Sequence, residues 1–352
     1  MENNIDYKVL MYDGTIKPIS KVIIGDKLIG PDSQQRNVIN TFIGYDEIIN
    51  VIFSRNKIGF SFNQNHKLFL KNYNNDEFEL LTIKDCVNFR KKWKISHRWM
   101  KTFIRNFGVT KNNFIIPPYI LGLLLGDGYL NKDRITLTTM DDAITEQYET
   151  FVNSLGYSIS ISNSNNSKAY HIKYIKNLKE NLRNSNGTII DPDVIRSEIR
   201  RLNLLGTKSH NKFIPAPYKT SSYTERLDIL AGLLDTDGYL NPIRNVFDFV
   251  SKSKQLSEDV VFIANSCGLT TSIKEVEKKS IKYYRVYIGG NTKIIPTKLQ
   301  RKKANNSNDI KNTRILNPTF NLCPIGKHRF YGLTTDLDNL YLAEDFSVIC
   351  GK

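Results

Sequence analysis

The sequence predicts an α+β fold in which a duplicated domain of helices and strands is inserted into an all-β domain. Three observations predict it. An apolar run ending in an acid and a glycine occurs twice, as Ile120-Leu121-Gly122-Leu123-Leu124-Leu125-Gly126-Asp127-Gly128 and as Leu230-Ala231-Gly232-Leu233-Leu234-Asp235-Thr236-Asp237-Gly238, and both copies continue Tyr-Leu-Asn. The patterns after each copy follow in one order: strand, helix, strand, strand. Short strand patterns at close spacing fill residues 7–70 and return near the other end of the chain, as in a compact all-β domain that the chain leaves and re-enters.

In the all-β part, Lys8-Val9-Leu10-Met11 reads as a strand and Asp13-Gly14 as its hairpin turn. Residues 16–19 and 27–29 follow, with Gly25-Asp26 between them, and 38–42, 48–53 and 67–70 continue the pattern. Together with Asn65-His66-Lys67-Leu68, Phe330-Tyr331-Gly332-Leu333-Thr334 and Leu340-Tyr341-Leu342-Ala343, this part resembles the Hint fold, the protein-splicing domain of inteins. The resemblance implies that strands from both ends meet in one domain. The splicing chemistry departs from that pattern. An intein begins with a Cys or Ser nucleophile and ends in His-Asn. Here no Cys or Ser precedes Tyr7, Glu2 and Gly351 can do neither job, and Asn65 replaces the Thr expected before the histidine. The expectation is a folded, splicing-inactive domain in which His66 is a hydrogen-bonded structural residue.

Residues 78–110 carry Arg90-Lys91-Lys92-Trp93-Lys94, His97-Arg98-Trp99 and Lys101. Basic residues interleaved with tryptophans can track a phosphate backbone, with the rings stacking or wedging. The competing reading is a solvated connecting helix.

The repeated run is apolar nearly all round, so each copy should be a buried helix. Gly122 and Gly232 cost about 1 kcal/mol each against alanine in mid-helix, which makes sense if another backbone approaches there. Gly128 and Gly238 read as helix stops. Asp127 and Asp237 then lie at helix C-termini, where the macrodipole disfavours negative charge. A cation should compensate, and a bound metal ion would do so.

Both runs resemble the signature of the LAGLIDADG homing endonucleases, the second departing from it at Leu234 and Thr236. The likeness of the whole chain is to endonuclease-bearing inteins of the vacuolar-ATPase type and to the fungal mating-type-switching endonucleases. It implies that the two helices pack side by side and that Asp127 and Asp237 are catalytic carboxylates binding Mg²⁺. Asp235, two residues earlier, faces another side and is not counted as a ligand. Asn211-Lys212-Phe213-Ile214-Pro215 is similar to the family segment whose lysine sits beside the metal site. Lys303, in Gln300-Arg301-Lys302-Lys303-Ala304, is similar to the matching lysine of the second repeat, with Lys302 able to take its place. Against both stands the solvated-surface reading of a lysine-rich chain.

Within each repeat the strands alternate polar and apolar residues, so one face should be core and the other should carry Lys, Arg, Tyr, Thr and Ser outward. A ribbon of that kind fits the DNA major groove. The basic residues assigned to it are Arg134, Lys173, Lys252, Lys254 and Arg285, besides Arg90, Lys91, Lys92, Lys94, Arg98 and Lys101 of the earlier segment. The expected domains are a Hint-like part over 1–110, an endonuclease domain over 111–303 with repeats at about 115–200 and 210–300, and the closing Hint-like part over 304–352.

Composition agrees. The 352 residues carry 50 Lys and Arg against 35 Asp and Glu, a net charge of +15 that suits a polyanion. Cys86, Cys267, Cys323 and Cys350 are scattered and form no zinc-finger spacing, which reads as reduced thiols. Residues 1–4 have no signal-peptide character. The expectation is an intracellular protein, nuclear in a eukaryote. The sequence thus predicts a monomeric, Mg²⁺-dependent, site-specific endonuclease acting on a long asymmetric site in double-stranded DNA. The alternatives are a splicing intein and a DNA-binding relic without cleavage.

Overall fold

The computed structural model describes residues 5–53, 57–87, 93, 96–108, 113–132, 134–163, 170–176, 193–305 and 317–352. The chain divides into two units. One comprises Met1–Thr110, Asn265–Gly268 and Asp309–Lys352; the other comprises Lys111–Ala264 and Leu269–Asn308.

The first unit is nearly all β. Its backbone is a 19-residue strand, Gln35–Phe53, paired antiparallel with Phe320–Thr335 from Val38↔Thr335 to Phe53↔Phe320. Strands from the two ends of the sequence therefore share one sheet. The sequence suggests two strands, 38–42 and 48–53, because Gly44, Asp46 and Glu47 are poor strand formers. The long partner overrides that local preference. Lys27–Ile29 and Lys57–Asn63 add to the same strand. A second sheet pairs Lys67–Asn72 with Glu77–Thr82 and His97–Trp99. The latter two strands are not evident in the sequence. The single bridge Val9↔Ala343 and the 2.6 Å hydrogen bond between the Tyr7 and Tyr341 hydroxyls join the chain's early and late residues again.

The core of this unit gathers Val9, Leu28, Val38, Val51, Phe60, Phe62, Leu70 and Trp99. Trp99 is 2 % exposed and stacks on Phe60 at 5.5 Å, and Trp93 stacks on His97 at 4.0 Å. Neither tryptophan is placed as a DNA wedge; Trp99 is core. His66 also departs from expectation. Its ring lies flat on Phe62 at 3.9 Å, and its buried Nε2 has no hydrogen-bond partner. Burial drives its pKa down to about 3, so the ring is neutral.

The second unit holds the duplication. In the first repeat, helix α1 (Pro118–Asp127) leads directly into β1 (Gly128–Leu130), then β2 (Ile135–Thr139), α2 (Asp142–Ser154), β3 (Tyr157–Asn163) and β4 (Tyr170–Lys176). A further helix, α3 (Val194–Arg201), is capped by Asp193, whose side chain accepts from the Arg196 N–H. In the second repeat the order is α4 (Tyr223–Asp237), β5 (Gly238–Asn241), β6 (Val246–Ser251), α5 (Lys254–Ser266), β7 (Thr270–Lys278) and β8 (Ile281–Gly289). Ser222 and Glu225 form a reciprocal capping box that fixes the start of α4.

The two sheets have one topology, β3-β4-β2-β1 and β7-β8-β6-β5. Leu130, Ile135 and Leu137 are buried on one face of the first; Leu240, Phe247, Phe249, Val286 and Ile288 are buried on one face of the second. With period 2, the register leaves Tyr129, Thr136, Lys173 and Ser160 in one cross-strand row on the opposite face, and Tyr239, Asp248, Tyr287 and Ser272 in the matching row. Among the described residues no helix is long and apolar enough to cross a membrane.

Candidate active site

The site begins with the contact between α1 and α4. A Cβ added to Gly122 would lie 2.9 Å from the Gly232 Cα and would strike the Ile229 carbonyl; one added to Gly232 would lie 3.0 Å from the Gly122 Cα and would strike the Tyr119 carbonyl. The helices touch backbone to backbone at these two positions, as the mid-helix glycines imply. Nearer the acids, a Cβ on Gly126 would collide with Thr236 and come within 3.3 Å of Asp237 Oδ2. Close packing thus continues to the helix ends.

Gly128 and Gly238 do not end the helices as left-handed caps. Both are extended, with φ of −81° and −88°, and each N–H closes the last turn on Leu124 or Leu234. Glycine is needed there because a Cβ would run into the carbonyl oxygen of the same leucine.

Asp127 and Asp237 are the last helical residues, and both side chains reach solvent. The surrounding protein still withdraws much of their hydration. Asp237 is pushed up to about 6, first by this desolvation and then by Asp127. Asp127 is raised as well, by desolvation, against the opposing pull of Lys212 and Lys302.

The cations at the helix ends are lysines. Lys212 Nζ donates to the carbonyls of Leu124 (3.1 Å), Gly126 (3.0 Å) and Gly128 (2.7 Å). Lys302 Nζ donates to those of Leu234 (2.8 Å), Asp235 (2.7 Å) and Thr236 (3.2 Å). Each ammonium uses its three N–H groups on carbonyls at the end of one motif helix, where the helical hydrogen-bond ladder runs out. The macrodipole argument from sequence assigns this compensation to a metal; the structure supplies it with buried lysines. Desolvation brings Lys212 down to about 8, with Asp237 and Asp127 pulling the other way. It lowers Lys302 too, against the pull of Asp235.

Lys302 therefore occupies the place expected of Lys303. Lys303 is exposed, while Lys302 is 7 % exposed and makes the contacts that match those of Lys212. A one-turn 3-10 helix over Gln300–Lys302 sets this register, and nothing in a run of two lysines distinguishes them. Asp235 is a structural residue. It accepts from the Tyr119 hydroxyl (2.9 Å) and the Lys298 N–H (2.7 Å), fastening α4 to α1 and to the following segment.

The predicted DNA-contacting residues fall into three groups. Arg90, Lys91, Lys92 and Lys94 lie outside the described residues. Arg134, Lys173, Lys252 and Lys254 are exposed, Arg134 over the Tyr129 ring and Lys252 over that of Tyr283; Lys254 pairs loosely with Glu258 at 3.7 Å. Lys101 and Arg285 are engaged internally, Lys101 with Asp345 and Arg285 with Asp248, and Arg98 is half-buried on its strand. Those three are poorer phosphate ligands than their charge implies.

Two residues near the acids are absent from the sequence reading. Asp141, just before α2, forms a two-pronged ion pair with Arg301, and both line a cavity with Asp127. The pattern Asp141-Asp142 before a helix resembles an ordinary cap, so the sequence gives no sign of this pairing.

Among the described residues no group of three or more His, Cys, Asp or Glu gathers as a self-sufficient metal cage. Asp127 and Asp237 are hard oxygen donors in a partly desolvated site where Asp127 raises the proton affinity of Asp237. This donor set fits a hard divalent cation that completes its shell with water and phosphate.

Comparison with known proteins agrees with this architecture. Residues 5–103 match the model of the Hom_end-associated Hint, and residues 224–294 match that of the LAGLIDADG-like domain. A curated relative, the replicative DNA helicase DnaB of Mycobacterium intracellulare, is 28 % identical over 185 residues, covering 51 % of this chain and 25 % of the relative. The chain thus spans about a quarter of the relative's length. Among solved structures, the homing endonuclease I-DmoI in complex with DNA and Ca is 15 % identical with a TM-score of 0.33, over 50 % of this chain and 83 % of that one. The gp41-1 intein is 16 % identical with a TM-score of 0.19, over 23 % and 57 %. The second motif helix, paired with the first through Gly122 and Gly232, thus lies in a segment that matches a LAGLIDADG-like domain, and the all-β unit opens in one that matches a Hom_end-associated Hint.

Proposed function

We propose that this chain is a site-specific endonuclease that hydrolyses both strands of a DNA duplex with Mg²⁺, and that its Hint domain does not splice. One observation carries the reading: two partly desolvated carboxylates end paired helices whose C-terminal carbonyls are each covered by a buried lysine. An acid at that position is costly for a structural helix, and two such acids side by side favour a cation between them.

Asp127 and Asp237 would hold the ion. When bound, Mg²⁺ supplies an activated water and neutralises charge on the phosphoryl oxygens. The chain's own residues do the rest. Lys212 and Lys302, with their N–H groups on carbonyls, act as fixed positive charges behind the carboxylates rather than as mobile donors. They lower the cost of bringing phosphate to the acids. Tyr129, Lys173 and Arg134 on one sheet, with Tyr239, Tyr287 and Lys252 on the other, offer stacking surface and charge to the duplex. The two faces differ in sequence, which supports an asymmetric site read by a single chain.

The splicing-inactive reading rests on His66, whose Nε2 is buried without a partner while the ring stacks on Phe62. Among the described residues no hydroxyl or thiol is hydrogen-bonded to that nitrogen, so the ring is not poised on a nucleophile. The test is incubation of the protein with a randomised duplex library in Mg²⁺ and in EDTA, followed by sequencing of cut ends. Recovery of one enriched site only in Mg²⁺ supports the reading. Binding of an enriched site without cutting would reduce the protein to a DNA-binding module.

A further inference from the structure

Each lysine segment crosses to the other repeat, and the two crossings differ in chemistry. Ser253, just before α5, donates its hydroxyl to the Lys212 carbonyl at 2.6 Å and accepts from the Leu256 N–H at 3.1 Å. Ser253 and Lys212 are both buried. The corresponding residue before α2 is Asp141. Tyr129 pairs with Thr136 and Tyr239 with Asp248, so Asp141 and Ser253 each stand five residues past equivalent strand positions. Asp141 takes the side chain of Arg301, beside Lys302, with Nη1 donating to Oδ1 and Nη2 to Oδ2 at 2.8 Å. Beside Lys212 the position of Arg301 is held by Asn211.

One tie is thus neutral and buried, and the other is a charged fork open to solvent. The Arg301 side chain is 59 % exposed. It lines a cavity of about 540 Å³ together with Asp127, Thr138, Met140 and Thr236. As a fastening, an exposed ion pair adds little to stability, and a serine does the equivalent job on the other side. As a ligand group it is well prepared. Asp141 engages two of the five guanidinium N–H groups and fixes the plane of the fork, whose geometry suits phosphate oxygens.

We propose that Arg301, oriented by Asp141, contacts a backbone phosphate of the DNA strand that passes Asp127, and that the different residues beside Lys212 leave the two strands to be cut at unequal rates. This rests on the endonuclease reading above and adds to it a residue and an asymmetry that the two motifs do not contain.

The test compares wild type, Arg301→Ala, Arg301→Lys and Asp141→Asn on the selected duplex, each strand labelled in turn, in single-turnover reactions with Mg²⁺. A second arm measures the slope of log K against log[NaCl] on the same duplex in EDTA. The expected result for Arg301→Ala is a rate at least tenfold lower on one strand with the other within about threefold, accumulation of nicked plasmid, and a salt slope smaller by about one. Arg301→Lys should keep the slope and recover part of the rate. Asp141→Asn should keep the slope while slowing the same strand. Equal slowing of both strands with an unchanged slope would overturn the proposal and leave Arg301 as a fastening for Lys302. Failure of the wild type to cut any duplex would sink the endonuclease reading instead. The slope, taken then on a random 30-base-pair duplex, would still decide whether Arg301 meets phosphate. If Arg301→Ala does not fold, Arg301→Lys and Asp141→Asn carry the comparison.

Discussion

Gly122 and Gly232 face each other across the motif helices so closely that neither position has room for a Cβ: one on Gly122 would stand 2.9 Å from the Gly232 Cα, and one on Gly232 would stand 3.0 Å from the Gly122 Cα. The opposing atoms are backbone, which cannot swing away as a side chain would. Alanine at either position must push the helices apart. We expect Gly122→Ala and Gly232→Ala each to destabilise the protein by about 1–3 kcal/mol, the usual cost of overpacking, in thermal or denaturant unfolding. An unchanged melting temperature in both would mean that the helices are not in backbone contact.

Lys302 and Lys303 separate cleanly. Removing the Lys302 ammonium takes away three charged hydrogen bonds at the helix end, so Lys302→Met should cost about 2–4 kcal/mol and abolish most cleavage, by analogy with the loss of charged buried hydrogen bonds. Lys303 is exposed, and Lys303→Met should stay within about 0.5 kcal/mol of wild type. The reverse ranking in unfolding and cleavage assays would return the site lysine to position 303.

These two residues also mark how far the sequence could be read. The paired helices, their acids, the close glycine contact and the repeated strand order were legible because each rests on a local pattern seen twice. Residues 38–53 read as two strands and are one, since the pairing that joins them comes from Phe320–Thr335, remote in sequence. The register of Lys302 depends on a 3-10 turn that a run of basic residues does not announce. Charge alone likewise could not distinguish Lys173, which is exposed, from Lys101 and Arg285, which are held by Asp345 and Asp248.

That distinction gives a salt prediction. Removing one phosphate-binding cation should reduce the slope of log K against log[NaCl] by about one. Lys173→Ala should show that reduction and Lys101→Ala should not. Equal slopes for Lys173→Ala and wild type would remove the first sheet from the DNA-binding surface.

The acids make stability depend on pH in a defined direction. Asp237 in the folded, metal-free protein is raised from 3.8 to about 6. A group raised on folding contributes stability that is fully present below its unfolded pKa and lost as pH rises through its folded pKa. The window is therefore about pH 4 to 6, and above it ionised Asp237 destabilises the apo protein. The full difference corresponds to about 3 kcal/mol, which solvent access to the carboxylate reduces to about 1 kcal/mol. In EDTA, Asp237→Asn should melt higher than wild type at pH 7.5 and the gain should vanish near pH 4. A gain that is the same at both pH values would show that proton linkage is not its source.

The central claim is that Asp127 and Asp237 are the carboxylates of metal-dependent double-strand cleavage, and Asp127→Asn tests it most directly. The measurement is double-strand cleavage of the selected duplex in Mg²⁺, with binding of the same duplex followed in parallel. The account predicts that cleavage by Asp127→Asn falls by at least a thousandfold, about 4 kcal/mol of barrier, while its affinity for the duplex stays within about tenfold of wild type. Cleavage near the wild-type rate, with Asp127 replaced, would contradict it.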